Sequence, residues 1–185
     1  NTLSLNEVIN LGIPHVGELI FESIDTPGLI KCLEVSETWK ELAENVLIKR
    51  WKGKMLEACK NGETKVVELL LEHCKSEESG LKTRDECGWT PFMWACNNGH
   101  KDVVQLFLEN SERIELNATN IFGVTAFMLA CRNGHKDVVQ LLLENSNIDL
   151  KARDNQGDTA FMIACANGHI DIVKLILGLS DGIDL

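Results

Sequence analysis

From Met55 onward, apolar and polar positions repeat a two-part rhythm. A short apolar run with small residues near its end, such as Phe92-Met93-Trp94-Ala95-Cys96, is followed by Asn-Gly-His and then a longer stripe. The stripes read Val103/Val104/Leu106/Leu108, Val138/Val139/Leu141/Leu143 and Ile172/Val173/Leu175/Leu177. Such spacing predicts an amphipathic helix. The short runs predict first helices over Phe92–Asn98, Phe127–Asn133 and Phe161–Asn167, each with an Ala-Cys pair that lets a neighbouring helix approach closely. The Gly-x-Thr glycines Gly88, Gly123 and Gly157 lie 35 and 34 residues apart, and His100, His135 and His169 keep the same intervals. A period in the low thirties marks stacked units, none of which can bury its apolar face alone.

The punctuation between runs has local reasons. Asp85, Asn120 and Asp154 open turns closed by glycine, the residue that tolerates positive φ. Thr90, Thr125 and Thr159 stand where first helices begin, offering an oxygen to an orphan N–H. Pro91 suits the first helical position, and Ala126 and Ala160 replace it. Asn-Gly then ends each first helix by the left-handed C-cap route. Met55–Lys75 is a degenerate unit: Met55-Leu56-x-Ala58-Cys59-x-x-Gly62, then Val66-Val67-x-Leu69-Leu70-Leu71. It lacks the Gly-x-Thr entry, as a capping first unit does. Ser76–Gly80 reads as a polar loop. The closing Ile183-Asp184-Leu185 matches Ile148-Asp149-Leu150, the lead-in to another unit, so further units are expected beyond it.

Residues ahead of Met55 fall outside the period. Pro14 opens a helix with Leu19, Ile20 and Ile24 on one stripe. Asp25-Thr26-Pro27-Gly28 reads as a breaker and turn. A short helix over Leu29–Leu33 follows. A third begins near Ser36, with Val35, Trp39, Leu42, Ala43 and Val46 on one face. Three short helices give too little core to stand alone. They are expected to lean on the first repeat or on a partner protein, with Trp51 as the wedge.

Composition narrows the function. The chain has 185 residues, 44% hydrophobic and 25% charged, with a formal charge of −10. That is a globular composition. Its acidity, without any Lys/Arg run, excludes a sequence-independent grip on nucleic-acid phosphates. The seven cysteines are odd in number and lack a CxxC pair. Cys59, Cys96, Cys131 and Cys165 recur at one place in the unit and read as small buried residues with free thiols. Reduced thiols imply an intracellular, cytoplasmic setting, with the nucleus left open. No apolar run reaches bilayer length, and no signal peptide is visible.

Candidate chemistry is sparse. Stacked helices lie about 8–10 Å apart, too far for His100, His135 and His169 to share a zinc ion whose ligands sit about 2.0–2.1 Å from the metal. They read as structural helix-entry histidines, and no metal or cofactor is expected. There is no nucleophile elbow, P-loop, dinucleotide fingerprint or HExxH. No catalytic residue is assigned, and an enzyme is not expected.

Three near-complete units resemble the ankyrin repeat, Asp-x-x-Gly-x-Thr-Pro-Leu-His-x-Ala-x-x-x-Gly-His-x-x-Val-Val-x-Leu-Leu-Leu, over about Met55–Leu185. They depart from it at Phe92-Met93, Phe127-Met128 and Phe161-Met162, where the family has Leu-His. Methionine packing must then replace the missing histidine bond. The resemblance implies protein binding by the turn tips and the concave face of the first helices. The corresponding positions are Glu86, Cys87, Trp89, Asn97 and Asn98; Ile121, Phe122, Val124, Arg132 and Asn133; and Asn155, Gln156, Asp158 and Asn167. Trp89, Ile121, Phe122 and Val124 stand out, because turn residues in water rarely need such side chains together.

Upstream, Ile13-Pro14, Leu19/Ile20/Ile24, Asp25-x-Pro27, Leu29, Cys32 and Val35-Ser36-x-x-Trp39 with Leu42-Ala43 resemble an F-box over about Ile13–Trp51. Ile13 replaces the usual Leu, and Glu18 comes late for the acidic residue that opens the helix. The resemblance implies that Ile13, Pro14, Leu19, Ile20, Ile24, Leu29, Val35 and Trp39 dock the Skp adaptor of a cullin–RING ubiquitin ligase. The repeats would then hold the protein to be ubiquitinated. A plain ankyrin scaffold or inhibitor, its N-terminal helices acting only as a cap, is the other reading. Either way the expected protein is all-α: an ankyrin-repeat solenoid of helix–turn–helix units with β-turn tips, preceded by a small three-helix F-box-like bundle. The expected domains are an F-box-like bundle over 1–51, a capping repeat over 52–84, and repeats over 85–119, 120–153 and 154–185.

Overall fold

The computed structural model describes residues 21–51, 54–73 and 80–178. The expected adaptor contacts Ile13, Pro14, Leu19 and Ile20 lie outside the described residues, as does most of the Ser76–Gly80 loop. The first described helices are α1 (Thr26–Cys32) and α2 (Glu37–Trp51). α1 begins earlier than its apolar residues predict. Asp25 Oδ1 accepts the Gly28 N–H at 2.9 Å, and Pro27 fits a first turn that needs no donor, so the expected breaker is a helix start. Ser36 Oγ accepts from the Trp39 N–H at 3.3 Å where α2 begins.

Four helix pairs follow: α3 (Met55–Asn61) with α4 (Thr64–His73), α5 (Pro91–Asn97) with α6 (Lys101–Glu109), α7 (Ala126–Arg132) with α8 (Lys136–Leu143), and α9 (Ala160–Ala166) with α10 (Ile170–Leu177). A 3₁₀ turn at Ser111–Arg113 follows α6. The first helices α3, α5, α7 and α9 stack in one row and the second helices α4, α6, α8 and α10 in another. Between units the loops make isolated antiparallel bridges, Thr119 to Thr125 and Arg153 to Thr159.

α2 packs on both α1 and α4. It therefore takes the place in the second-helix row that a preceding unit would fill. Of its expected face, Ala43 and Val46 are buried, while Trp39 and Leu42 are half-buried and Val35 is exposed. Leu47 and Trp51 complete the buried side. Trp51 is the expected wedge, its indole N–H reaching Thr26 Oγ1 at 3.4 Å. Arg50 ties the entry to α1 onto α2 by donating to the Glu22 and Ile24 carbonyls at 3.1 and 2.9 Å. A single apolar core runs from Phe21 through the stack to Ile176.

Inside the units the methionines do more than pack. Thr90 and Thr125 Oγ1 accept the Met93 and Met128 N–H groups at 3.2 and 3.3 Å. In return, the Thr90 and Thr125 N–H groups point to the methionine sulfurs at 3.5 Å. This is a capping box with sulfur as the weak second acceptor. In the last unit the Thr159 cap forms, at 3.4 Å from the Met162 N–H, but Met162 itself is exposed.

The second-helix stripes are corrected toward their C-terminal ends, where Leu177 of the last stripe is exposed. Val103 and Val104 are buried as expected, but the third buried residue is Phe107, with Leu106 and Leu108 only partly buried. Leu142 and Ile176 play the same part in α8 and α10. A helix advancing 3.6 residues per turn returns residues 103 and 104 to the same side at 107.

Cys59, Cys96 and Cys131 form the expected buried column, whereas Cys165, in the last described first helix, is exposed. Burial pushes the Cys131 thiol up to about 12 from 9.0. Cys59 and Cys96 are also raised by burial, and Cys96 additionally by its two neighbours in the column. Unfolding returns these thiols to ordinary acidity, so at alkaline pH it releases protons. Stability is thus unaffected by them below pH 9.0 and declines above it, through about pH 12 for Cys131. Each thiol contributes up to about 1.4 kcal/mol per pH unit to the slope. Thermal melts between pH 9 and 11 should therefore decline less steeply for Cys96→Ala than for the parent chain.

Candidate functional site

The site is built on the loops that enter the first helices. In each, an Asx side chain holds the loop from within. Asp85 Oδ1 accepts from the Cys87 and Trp89 N–H groups at 3.0 and 2.9 Å. Asn120 Oδ1 accepts from Phe122 and Val124 at 2.9 and 3.0 Å. Asp154 Oδ1 accepts from Gln156 and Asp158 at 2.9 and 3.0 Å. Arg84 and Arg153 fasten the outer loops by donating to the Gly88 and Gly157 carbonyls at 3.3 and 2.7 Å.

The loops are also locked to each other. The Ile121 N–H donates to the Cys87 carbonyl at 3.1 Å, and the Asn155 N–H to the Phe122 carbonyl at 3.0 Å. The result is a rigid row of tips, Glu86-Cys87, Ile121-Phe122 and Asn155-Gln156, with all six residues exposed. Ile121 and Phe122 are 59% and 56% exposed, and no packing within the unit explains two such side chains in water.

Val124 does not join them. It is 3% exposed, because its position in the loop turns it into the core. Trp89 is half-buried against Trp94, their rings 4.5 Å apart, so only part of it faces solvent. Trp94, absent from the expected site, is the larger surprise of this face. Its indole N–H donates to Asp85 Oδ2 at 3.1 Å, and Lys60 Nζ lies 4.6 Å from the ring centroid. A tryptophan where the other units carry Leu129 and Ile163 was the available signal.

The asparagines of the concave edge are structural. Asn98 Nδ2 donates to the Lys60 carbonyl at 2.8 Å, and Asn133 Nδ2 to Asn97 Oδ1 at 2.8 Å. Asn97 Nδ2 reaches Asn98 Oδ1 at 2.8 Å, and Asn155 Nδ2 the Ile121 carbonyl at 3.1 Å. The Asn98, Asn133 and Asn155 amides thus stitch each unit to the preceding one. Arg132, Gln156 and Asn167 remain exposed, and Asp158 is half-buried.

The histidines have a related duty. His100, His135 and His169 Nε2–H groups donate to the Lys60, Asn97 and Arg132 carbonyls at 3.0, 2.7 and 2.9 Å. Each therefore ties a second-helix entry to the end of the first helix of the preceding unit. Among the described residues no cluster of His, Cys, Asp or Glu is placed to hold a metal ion.

A family model described as ankyrin repeats (3 copies) matches residues 55–120 and 112–185. The chain belongs to the ankyrin-repeat family. No curated protein matches it. Ankyrin repeats bind protein partners. Among the described residues no helix is long and apolar enough to cross a membrane.

Of the expected adaptor contacts, Leu29 is fully buried in the core and presents no surface. Ile24 and Trp39 are half-buried, Trp39 lying edge-on to Phe21 with ring centroids 5.5 Å apart. Val35, in the turn between α1 and α2, is 54% exposed.

Proposed function

We propose that this chain is a protein-interaction adaptor that holds its target against the finger-tip row. The observation that carries the reading is the exposed Ile121–Phe122 pair on a backbone already fixed by hydrogen bonds. A preorganised apolar patch binds without the cost of ordering its own loops. The test is quantitative capture of cellular partners by the full chain and by an Ile121→Ser/Phe122→Ser variant. Partners held at the tips should fall at least tenfold in yield, a loss of about 1.4 kcal/mol or more. An unchanged partner set would discard the tip row.

We further propose that the N-terminal helices dock a Skp-type adaptor, making the chain the substrate-recognition subunit of a cullin–RING ubiquitin ligase. The F-box resemblance supports this reading, as does the exposure of Val35 beside Trp39. The capping role is supported by a different observation, the seating of α2 in the second-helix row. One face of a helix can cap while the other docks, so the two duties are compatible. Val35→Asp in the full chain is the informative variant. It should abolish co-purification with the adaptor while leaving the melting temperature unchanged. Trp39→Ala is less informative, because Trp39 also packs on Phe21. Absence of any complex with the folded parent chain would leave the cap and scaffold reading in possession.

A further inference from the structure

We infer that the tip row takes a basic, extended protein segment, with a Lys or Arg opposite Glu86 and a bulky apolar side chain against Ile121 and Phe122. The inference rests on the tip-row reading and specifies the chemistry of its partner.

The charge around the apolar pair is one-sided. Loop residues 85–89, 120–124 and 154–158 contain Asp85, Glu86, Asp154 and Asp158 and no Lys or Arg. Asp85 and Asp154 are occupied with loop N–H groups, Asp85 also with the Trp94 indole. Glu86 is therefore the exposed carboxylate next to the pair. The nearest cations along the chain, Arg84 and Arg153, turn to the Gly88 and Gly157 carbonyls, and Arg84 also pairs with Glu115 at 3.0 Å. On a chain of net charge −10, this frame repels acidic segments and draws basic ones.

Geometry sets the spacing. Units of packed helices repeat at about 8–10 Å, and extended chain advances about 3.3 Å per residue. Three residues of an extended partner thus span one tip to the next. Read along the row, carboxylate, apolar pair and amide call for a basic residue, an apolar residue three positions on, and a hydrogen-bonding residue opposite Gln156 three positions further. The reverse order fits if the segment runs the other way.

The test uses the full chain labelled with ¹⁵N and short synthetic peptides carrying Lys, Trp and Gln at three-residue intervals in either order. Controls replace the Lys by Glu or the Trp by Ser. The Lys–Trp–Gln peptide in one order should shift the amide resonances of Cys87, Phe122 and Gly123, and each control should bind at least tenfold more weakly. Glu86 is exposed and makes no hydrogen bond or ion pair among the described residues, so Glu86→Lys should keep the fold and invert the Lys/Glu preference by at least tenfold. The inference is overturned if no peptide moves the tip amides, or if Glu86→Lys leaves the preference unchanged. Should the peptides fail while Ile121→Ser/Phe122→Ser still strips cellular partners, the tip row remains a binding surface and only the basic, extended partner is wrong. Failure of both experiments removes the surface itself.

Discussion

Phe107→Ala should destabilise the chain by about 3–5 kcal/mol, the range for emptying a buried aromatic site. Phe107 is fully buried in α6 and meets Phe92 of α5 edge-on, with ring centroids 5.7 Å apart at 71°. Truncation loses the transfer energy of the ring and leaves a cavity between helices that are held on both sides by neighbouring units. Such a site cannot collapse, so the upper half of the range applies. Leu106→Ala, one position earlier, removes only a partly buried side chain and should cost about 1 kcal/mol. Denaturant midpoints of the two variants decide the matter. Equal losses would mean that the stripe read from the sequence, not the one seen in the fold, faces the core.

Gly99→Ala should cost about 3 kcal/mol, and Gly168→Ala only about 1 kcal/mol. Both glycines sit in the left-handed region, at φ +74° and +72°. They share the strain of placing an L side chain there. They differ in what lies above. A Cβ on Gly99 would fall 2.6 Å from His135 Nδ1, while one on Gly168 meets nothing within 4 Å. Displacing His135 also breaks its 2.7 Å bond to the Asn97 carbonyl, which joins the two units. The excess cost of Gly99→Ala therefore measures the histidine lock rather than the turn. Thermal melts of both variants, with His135→Ala as a third, form a cycle. If Gly99→Ala costs no more in the parent than in the His135→Ala background, the lock carries no energy.

Much of the interaction surface was readable only in outline. The loop spacing located the tips, and Ile121 and Phe122 were identifiable because the turn gives them no reason to be apolar. Val124 was not separable from them by composition. Its burial depends on the direction that Asn120 gives the loop when it accepts the Phe122 and Val124 N–H groups. Asn97, Asn98, Asn133 and Asn155 looked like ready polar contacts because asparagine in a turn or cap carries spare donors. Which donors are spare depends on the neighbouring unit: the preceding unit accepts from Asn98, Asn133 and Asn155, while Asn97 donates to Asn98 beside it. Trp94 shows the reverse case. A large residue at a position the other units fill with Leu129 and Ile163 only becomes meaningful once Asp85, Trp89 and Lys60 are seen around it.

By itself the sequence determined the repeat, its period, the helix pairs and the caps at Thr90, Thr125 and Thr159. All of these follow from interactions within one unit, between residues a few positions apart, which a linear pattern records. The tertiary structure decided that Cys165 is exposed while Cys59, Cys96 and Cys131 are not, and that α2 sits in the second-helix row. Each of these depends on which unit lies against which, across some thirty to forty residues of chain. Spacing within a unit carries no record of what the next unit covers.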